Sequence, residues 1–181
     1  MNNKTILYIA MSEDGFIAGD NDNLDFLNNF QVKDEDYGYS KFMDSVEFIV
    51  VGRKTYDKVI SMGYPYHKDK QVFVITRVPK ESPQNETLTF YNGAIAALIG
   101  QLKASSGNKH IYCDGGAALA NHMIDLNLID QMILSVVPTK LNRGTLLFKK
   151  GCVPNHFELK DALTFKSGLI QYTYLNKNLK D

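Results

Sequence analysis

An α/β fold on a mainly parallel sheet, with antiparallel strands at one edge, is the architecture this sequence predicts. Three observations carry it. Short β-branched or aromatic runs alternate with stretches of helical periodicity. The last two runs are joined by a tight Lys166-Ser167-Gly168 turn, as in a hairpin. The 181 residues, 44% apolar and 22% charged, suit one domain with a sizeable core, so residues 1–181 are read as a single unit.

Taken in order, Thr5–Met11 is an apolar strand. After it comes an Asp14-Gly15 turn and a second short apolar piece ending near Ala18, which together look hairpin-like. Asp20–Asn29 reads as a long loop, and Asp34–Ser45 as a helix whose acidic start suits the helix dipole. Val46–Val51 is a buried strand feeding a helix at Lys54–Ile60. Ser61–Lys70 reads as a second long loop, of the kind that often serves binding. Gln71–Thr76 and a short Leu88–Tyr91 follow as strands. Ala94–Ala104 places Ile95, Leu98, Ile99 and Leu102 on one helix face, with Asn92 as N-cap. Lys109–Cys113 is a strand, Ala117–Leu126 a helix with Leu119, Met123 and Ile124 in register, and Gln131–Val137 a strand. Phe157–Phe165 and Leu169–Leu175 form the closing hairpin.

Composition excludes several classes of function. Lys plus Arg and Asp plus Glu are 20 each, so no bulk field draws nucleic acid or an acidic membrane, and no nucleic-acid or membrane partner is expected. The apolar run Ile6 to Met11 is too short for a secretory h-region or a membrane span, which points to a cytoplasmic protein. Two cysteines, Cys113 and Cys152, make neither a disulfide framework nor a CxxC site, and no two of the four histidines stand at i,i+4, so no metal is expected.

Chemistry concentrates at three strand ends. Ile111 to Gly116 is a strand running into Asp114-Gly115-Gly116 and then directly into a helix. Two glycines there either let backbone approach a phosphate at the helix N-terminus or make a tight turn with no ligand. Val51 to Tyr56 runs a strand into Gly52 and then Arg53, Lys54 and Thr55, which either bind a phosphate or are surface charges and a cap. Val72 to Arg77 repeats the pattern with Thr76 and Arg77. In an open α/β sheet ligands bind beyond the carboxyl ends of the strands. The combination resembles a dinucleotide site with an extra phosphate.

These segments, in this order, resemble the dihydrofolate reductase superfamily, and within it the branch holding the reductase domain of bacterial riboflavin biosynthesis. Ala10–Ala18 is similar to that branch's SxDGxIA opening, Val51–Tyr56 to its GRKTY turn, and Thr76-Arg77 to its S/T-R strand end. Asp114-Gly115-Gly116 is similar to its acidic EGG/DGG turn. Val137-Pro138 with Gly144 and Leu147-Phe148 is similar to its P…G…LF stretch. The resemblance implies a sheet of about eight strands with helices on both faces, and an NADPH cofactor across the strand ends. It places Ala10 and Ile17 beside the nicotinamide, and Arg53, Lys54 and Thr55 behind Gly52 at phosphates. Thr76 and Arg77 go near the adenosine 2′-phosphate, and Gly115, Gly116 and the N–H groups of Ala117, Ala118 and Leu119 around the pyrophosphate, with a cis peptide between the two glycines. It also implies a small heterocyclic substrate and a homodimer, which that branch often forms.

Asp114, at the turn, and Asp36, where folate-reducing members carry an acid on the first helix, are the expected catalytic carboxylates. Two departures weigh against folate reduction: Asp69 stands where those members carry a tail-binding arginine, and Ala120 where they carry a tyrosine. The combined HxE and PCxxC signature of the deaminase often fused to this branch is absent. The expected activity is thus an NADPH-dependent reductase of 5-amino-6-(5-phosphoribosylamino)uracil type. A dihydrofolate or pterin reductase, or a non-catalytic NADP-binding module, is the alternative.

Overall fold

The computed structural model describes residues 3–30, 32–78, 81 and 87–179. Among the described residues ten strands and four α-helices follow one another as β1 (Thr5–Ser12), β2 (Phe16–Ala18), α1 (Tyr39–Asp44), β3 (Val46–Gly52), α2 (Arg53–Ser61), β4 (Gln71–Ile75) and β5 (Leu88–Tyr91). Then come α3 (Ile95–Ser105), β6 (His110–Gly115), α4 (Ala117–Asp125), β7 (Gln131–Val137), β8 (Thr145–Leu146), β9 (Phe157–Thr164) and β10 (Ile170–Asn176). Eight strands make one sheet in the order β5-β4-β3-β6-β1-β7-β10-β9. The first six of that order are parallel, and β10 and β9 are antiparallel additions at one edge. This is the α/β architecture the sequence predicts.

The central strands read as continuous apolar runs because both their faces are covered. On one face α3 and α4 bury Ile99, Leu102, Met123 and Ile124 against Val50, Ile111, Cys113 and Leu134. On the other, α1 and α2 pack Phe42, Tyr56 and Val59 against Ile49, Val51, Val72 and Tyr112. Buried Asn121 of α4 donates to the carbonyls of Ala117 (2.7 Å) and Leu147 (2.6 Å) and accepts from the Lys149 N–H at 3.2 Å, anchoring the segment after β8.

Four local expectations are corrected. The helix expected over Asp34–Ser45 begins only at Tyr39, because Asp34, Tyr37 and Gly38 all adopt positive φ (65°, 55° and 79°), which no α-helix tolerates. Asp20–Asn29 is not an irregular loop but holds two 3-10 segments, Asp20–Asp22 and Asp25–Phe30. Asn92 does not cap α3; Ala94 occupies that position with no side-chain cap. The hairpin expected after β1 does not close, since β2 pairs with β8 in a separate two-stranded sheet. Among the described residues no helix is long and apolar enough to cross a membrane. Nor do three or more His, Cys, Asp or Glu side chains there gather as a metal site.

Candidate active site

A cleft of about 1380 Å³ opens at the carboxyl ends of the parallel strands. Because β3 and β6 are neighbours, with Val51 opposite Gly115, the helices that follow them, α2 and α4, start side by side on opposite faces. Neither start has a side-chain cap: Gly52 and Gly116 hold the N-cap positions with extended backbone. The first backbone N–H groups of two helices, each at the positive end of a helix dipole, therefore meet the same cleft.

The glycine turn is built for close approach. Gly115 has φ of +82°, a conformation glycine alone adopts without cost, and its peptide to Gly116 is cis. A Cβ on Gly116 would lie 2.8 Å from Thr55 Oγ1, so a larger residue there would force the Thr55 side chain to shift. Ala10, Ile17, Gly52, Arg53, Lys54, Thr55, Thr76, Arg77, Gly116, Ala117, Ala118 and Leu119 all line the cleft, while Gly115 stands buried just behind it.

The cations at this end are held loosely. Arg53 Nε donates to both Asp57 oxygens at 2.7 Å, and its guanidinium lies 5.4 Å from the Phe90 ring centre. Lys54 Nζ pairs with Asp22 at 2.8 Å from the 3-10 segment across the cleft. Arg77 is exposed. Exposed pairs of this kind are worth little and are exchanged readily for a better anion. Thr76, nearly buried, accepts from the Val78 N–H at 3.2 Å and so shapes the strand end.

Asp114 occupies a different setting. It lies on the same face of β6 as Tyr112, toward α1 and α2, and lines the cleft while half-buried. Tyr66 Oη donates to its Oδ2, and Tyr112 Oη lies 2.5 Å from its Oδ1. Burial pushes its carboxyl up to about 7, so near neutrality it exists in both proton states. Burial likewise raises the phenols of Tyr39 and, well above the usual range, Tyr112. A carboxyl of this kind can give a proton to a ring atom and take one back.

Asp36, the other expected carboxylate, does not join it. It is exposed, it is not part of the cleft wall, and it sits in the positive-φ turn ahead of α1. Hydrogen bonds from the Ser40 side chain, then from the backbone N–H groups of Ser40 and Gly38, hold its carboxyl below the usual range. It acts as a turn and helix-start group.

Sequence reasoning missed Tyr66, which rises out of the Ser61–Lys70 loop and is 7% exposed. It also missed Leu24, Leu27, Lys58, Val59 and the Asn92-Gly93 turn, all of which line the cleft. For Tyr112 a signal existed: strand alternation puts residues 112 and 114 on one face.

The model of the RibD C-terminal domain matches residues 50–171. Among curated proteins the chain is similar to Uncharacterized protein YwjB of Bacillus subtilis (strain 168), 37% identical over 167 residues, covering 91% of this chain and 94% of that one. YyaP of the same organism, also uncharacterized, is 30% identical over 184 residues, covering 94% of each. Among solved structures it is similar to a "putative riboflavin biosynthesis protein" from Shewanella sp. PV-4, with a TM-score of 0.83 and 30% identity over 96% of this chain and 99% of that one.

Proposed function

The chain belongs to the RibD C-terminal domain family of reductases, and on that premise we propose that it is an NADPH-dependent reductase of a small nitrogen heterocycle, of the 5-amino-6-(5-phosphoribosylamino)uracil reductase type. The observation that carries this reading is the meeting, in one cleft, of two uncapped helix starts flanked by cations with the half-buried Asp114 carboxyl.

The residues fit the cofactor. The first-turn N–H groups of Ala117, Ala118 and Leu119 suit a pyrophosphate, and the side-chain-free Gly116 lets it come close. Arg53, Lys54, Thr55, Thr76 and Arg77 supply donors for the outlying phosphate, and Arg53 and Lys54 would exchange Asp57 and Asp22 for it. Ala10, which is small, and Ile17, which is apolar, would border the nicotinamide ring. Bound NADPH supplies the hydride. Asp114, protonated below about pH 7, donates the accompanying proton from its carboxyl, and Leu24, just ahead of the second 3-10 segment, and Leu27 within it help keep water out. Asp36 stands outside the cleft, which weighs against the folate-type reading that needs an acid on the first helix.

The test is a titration of NADPH and NADH, followed by the loss of reduced-nicotinamide absorbance with ribosylaminopyrimidine and pterin compounds. NADPH binding with turnover of the pyrimidine is expected. Binding without turnover of any heterocycle would make the chain a binding module, and absence of binding would overturn the reading altogether.

A further inference from the structure

Both oxygens of Asp114 have phenol partners, and one of those partners has a choice. Tyr66 donates to Oδ2. Tyr112 Oη lies 2.5 Å from Oδ1 and 3.2 Å from the carbonyl oxygen of Tyr8. A phenol carries one hydrogen, so Tyr112 cannot donate to both acceptors at once. When Asp114 is ionised, the carboxylate is the stronger acceptor and takes that hydrogen. When Asp114 is protonated on Oδ1, it donates to the Tyr112 oxygen and the phenol hydrogen turns to the Tyr8 carbonyl. In both states the contact between Asp114 Oδ1 and Tyr112 Oη is kept and only the direction of donation reverses, while Tyr39 bonds the same phenol from α1. The rings have little room to move: Tyr112 is 3% exposed, and Tyr66 packs on Tyr56 and His67 at centroid distances of 5.6 and 5.0 Å.

We propose that Tyr66 and Tyr112 are positioning residues for Asp114: Tyr66 fixes the orientation of the carboxyl at the cleft, and Tyr112 follows its proton state by swinging one hydrogen between Asp114 Oδ1 and the Tyr8 carbonyl. The role this serves rests on the reading of Asp114 as the proton donor of a reductase. The other titratable groups around the carboxyl are Tyr39 from α1, Tyr8 from β1, and His67 and Asp69 from the loop that carries Tyr66. Burial raises the two phenols and lowers His67, and the Asp69 charge acts on Tyr39 and His67. Within this cluster burial brings the Asp114 carboxyl up to about 7.

The experiment follows the Asp114 carboxyl by carbon-13 NMR in the full chain without cofactor, assigned with Asp114→Asn. Tyr66→Phe removes a donor to the ionised form and is expected to raise the midpoint, by about tenfold in proton affinity, whereas Tyr112→Phe removes a partner of both proton states and is expected to move it less. In the unsubstituted chain, near-ultraviolet tyrosine absorbance is expected to change with the same midpoint, and Tyr112→Phe to remove that change. A midpoint that stays or falls in Tyr66→Phe, or a native chain whose tyrosine absorbance ignores the Asp114 titration, overturns the proposal. The native chain decides the matter even if a variant fails to fold. The pH profile of turnover separates the two readings. Shifted midpoints without reduction of any heterocycle uphold the positioning and sink the reductase, whereas turnover with unmoved midpoints does the reverse.

Discussion

At the cationic end of the cleft, Arg53, Lys54 and Arg77 and the uncapped starts of α2 and α4 offer donors to whatever arrives. At the tyrosine end, Asp114 already has its partners in Tyr66 and Tyr112. The first end is exposed, screened by salt and built largely from backbone. The second is half-buried, and its electrostatics come from desolvation. Binding an anion needs donors that are open or only loosely paired in the free protein. Moving a proton needs a group whose two charge states are both satisfied. The contrast therefore separates affinity from turnover, and substitutions at the two ends should fail in different ways.

The largest expected effect is at the cationic end. Gly116→Val drives a branched side chain into Thr55 Oγ1, and NADPH affinity is expected to fall on the order of a hundredfold or more while the far-ultraviolet circular dichroism stays native. Normal binding in a folded variant would show that the glycine turn is no phosphate cradle. At the other end Asp114→Asn nearly keeps the shape, so turnover should drop by roughly a hundredfold with NADPH affinity unchanged. A parallel loss of NADPH affinity would erase the distinction between the two ends.

A smaller effect is expected from Arg53→Gln combined with Arg77→Gln. NADPH affinity should fall by about tenfold to a hundredfold, NADH affinity should barely change, and the NADPH loss should shrink as salt is raised. Equal losses for the two cofactors would remove the 2′-phosphate from this end.

The remaining effect is on stability. Folding raises the Asp114 carboxyl from 3.8 to about 7, so across that interval the unfolded chain releases a proton that the folded chain keeps. This group's contribution to stability therefore declines as pH rises from about 4 to about 7 and is flat above. Thermal unfolding of Asp114→Asn compared with the unsubstituted chain should show the variant gaining relative stability between pH 4 and pH 8. A pH-independent difference would mean that Asp114 is not desolvated.

The same contrast explains what could be read from the sequence. The cationic end is written in contiguous residues. Gly52 to Thr55, Thr76-Arg77 and Asp114 to Leu119 each hold a strand end, a turn and a helix start or cation within a few positions, and topology only had to set them side by side. The sheet was legible for a related reason, since strands covered on both faces appear as unbroken apolar runs such as Phe48-Ile49-Val50-Val51. The tyrosine end has no such text. Tyr66 belongs to a loop with no periodicity, and its partner lies 48 positions further on. Asp36 misled because the resemblance puts an acid on the first helix, and that helix begins only at Tyr39, after Asp36. Its neighbour Gly38 was the overlooked sign that the backbone turns there first. The 3-10 segments after Gly19 lack the repeat length that would give them a pattern.

The position of β1 in the sheet bears on the life of the nascent chain. Its two neighbours, β6 and β7, begin only at His110 and Gln131. A ribosome therefore delivers the apolar segment Ile6 to Ile9 long before either strand that will flank it, and the central seat of the sheet stays empty through most of synthesis. Contacts that join such distant parts of a chain form late and slowly. Until they do, this segment is exposed to other chains and to chaperones. Synthesis slowed before residue 131 would thus lengthen the exposure of the very strand whose end carries Ala10 into the cleft.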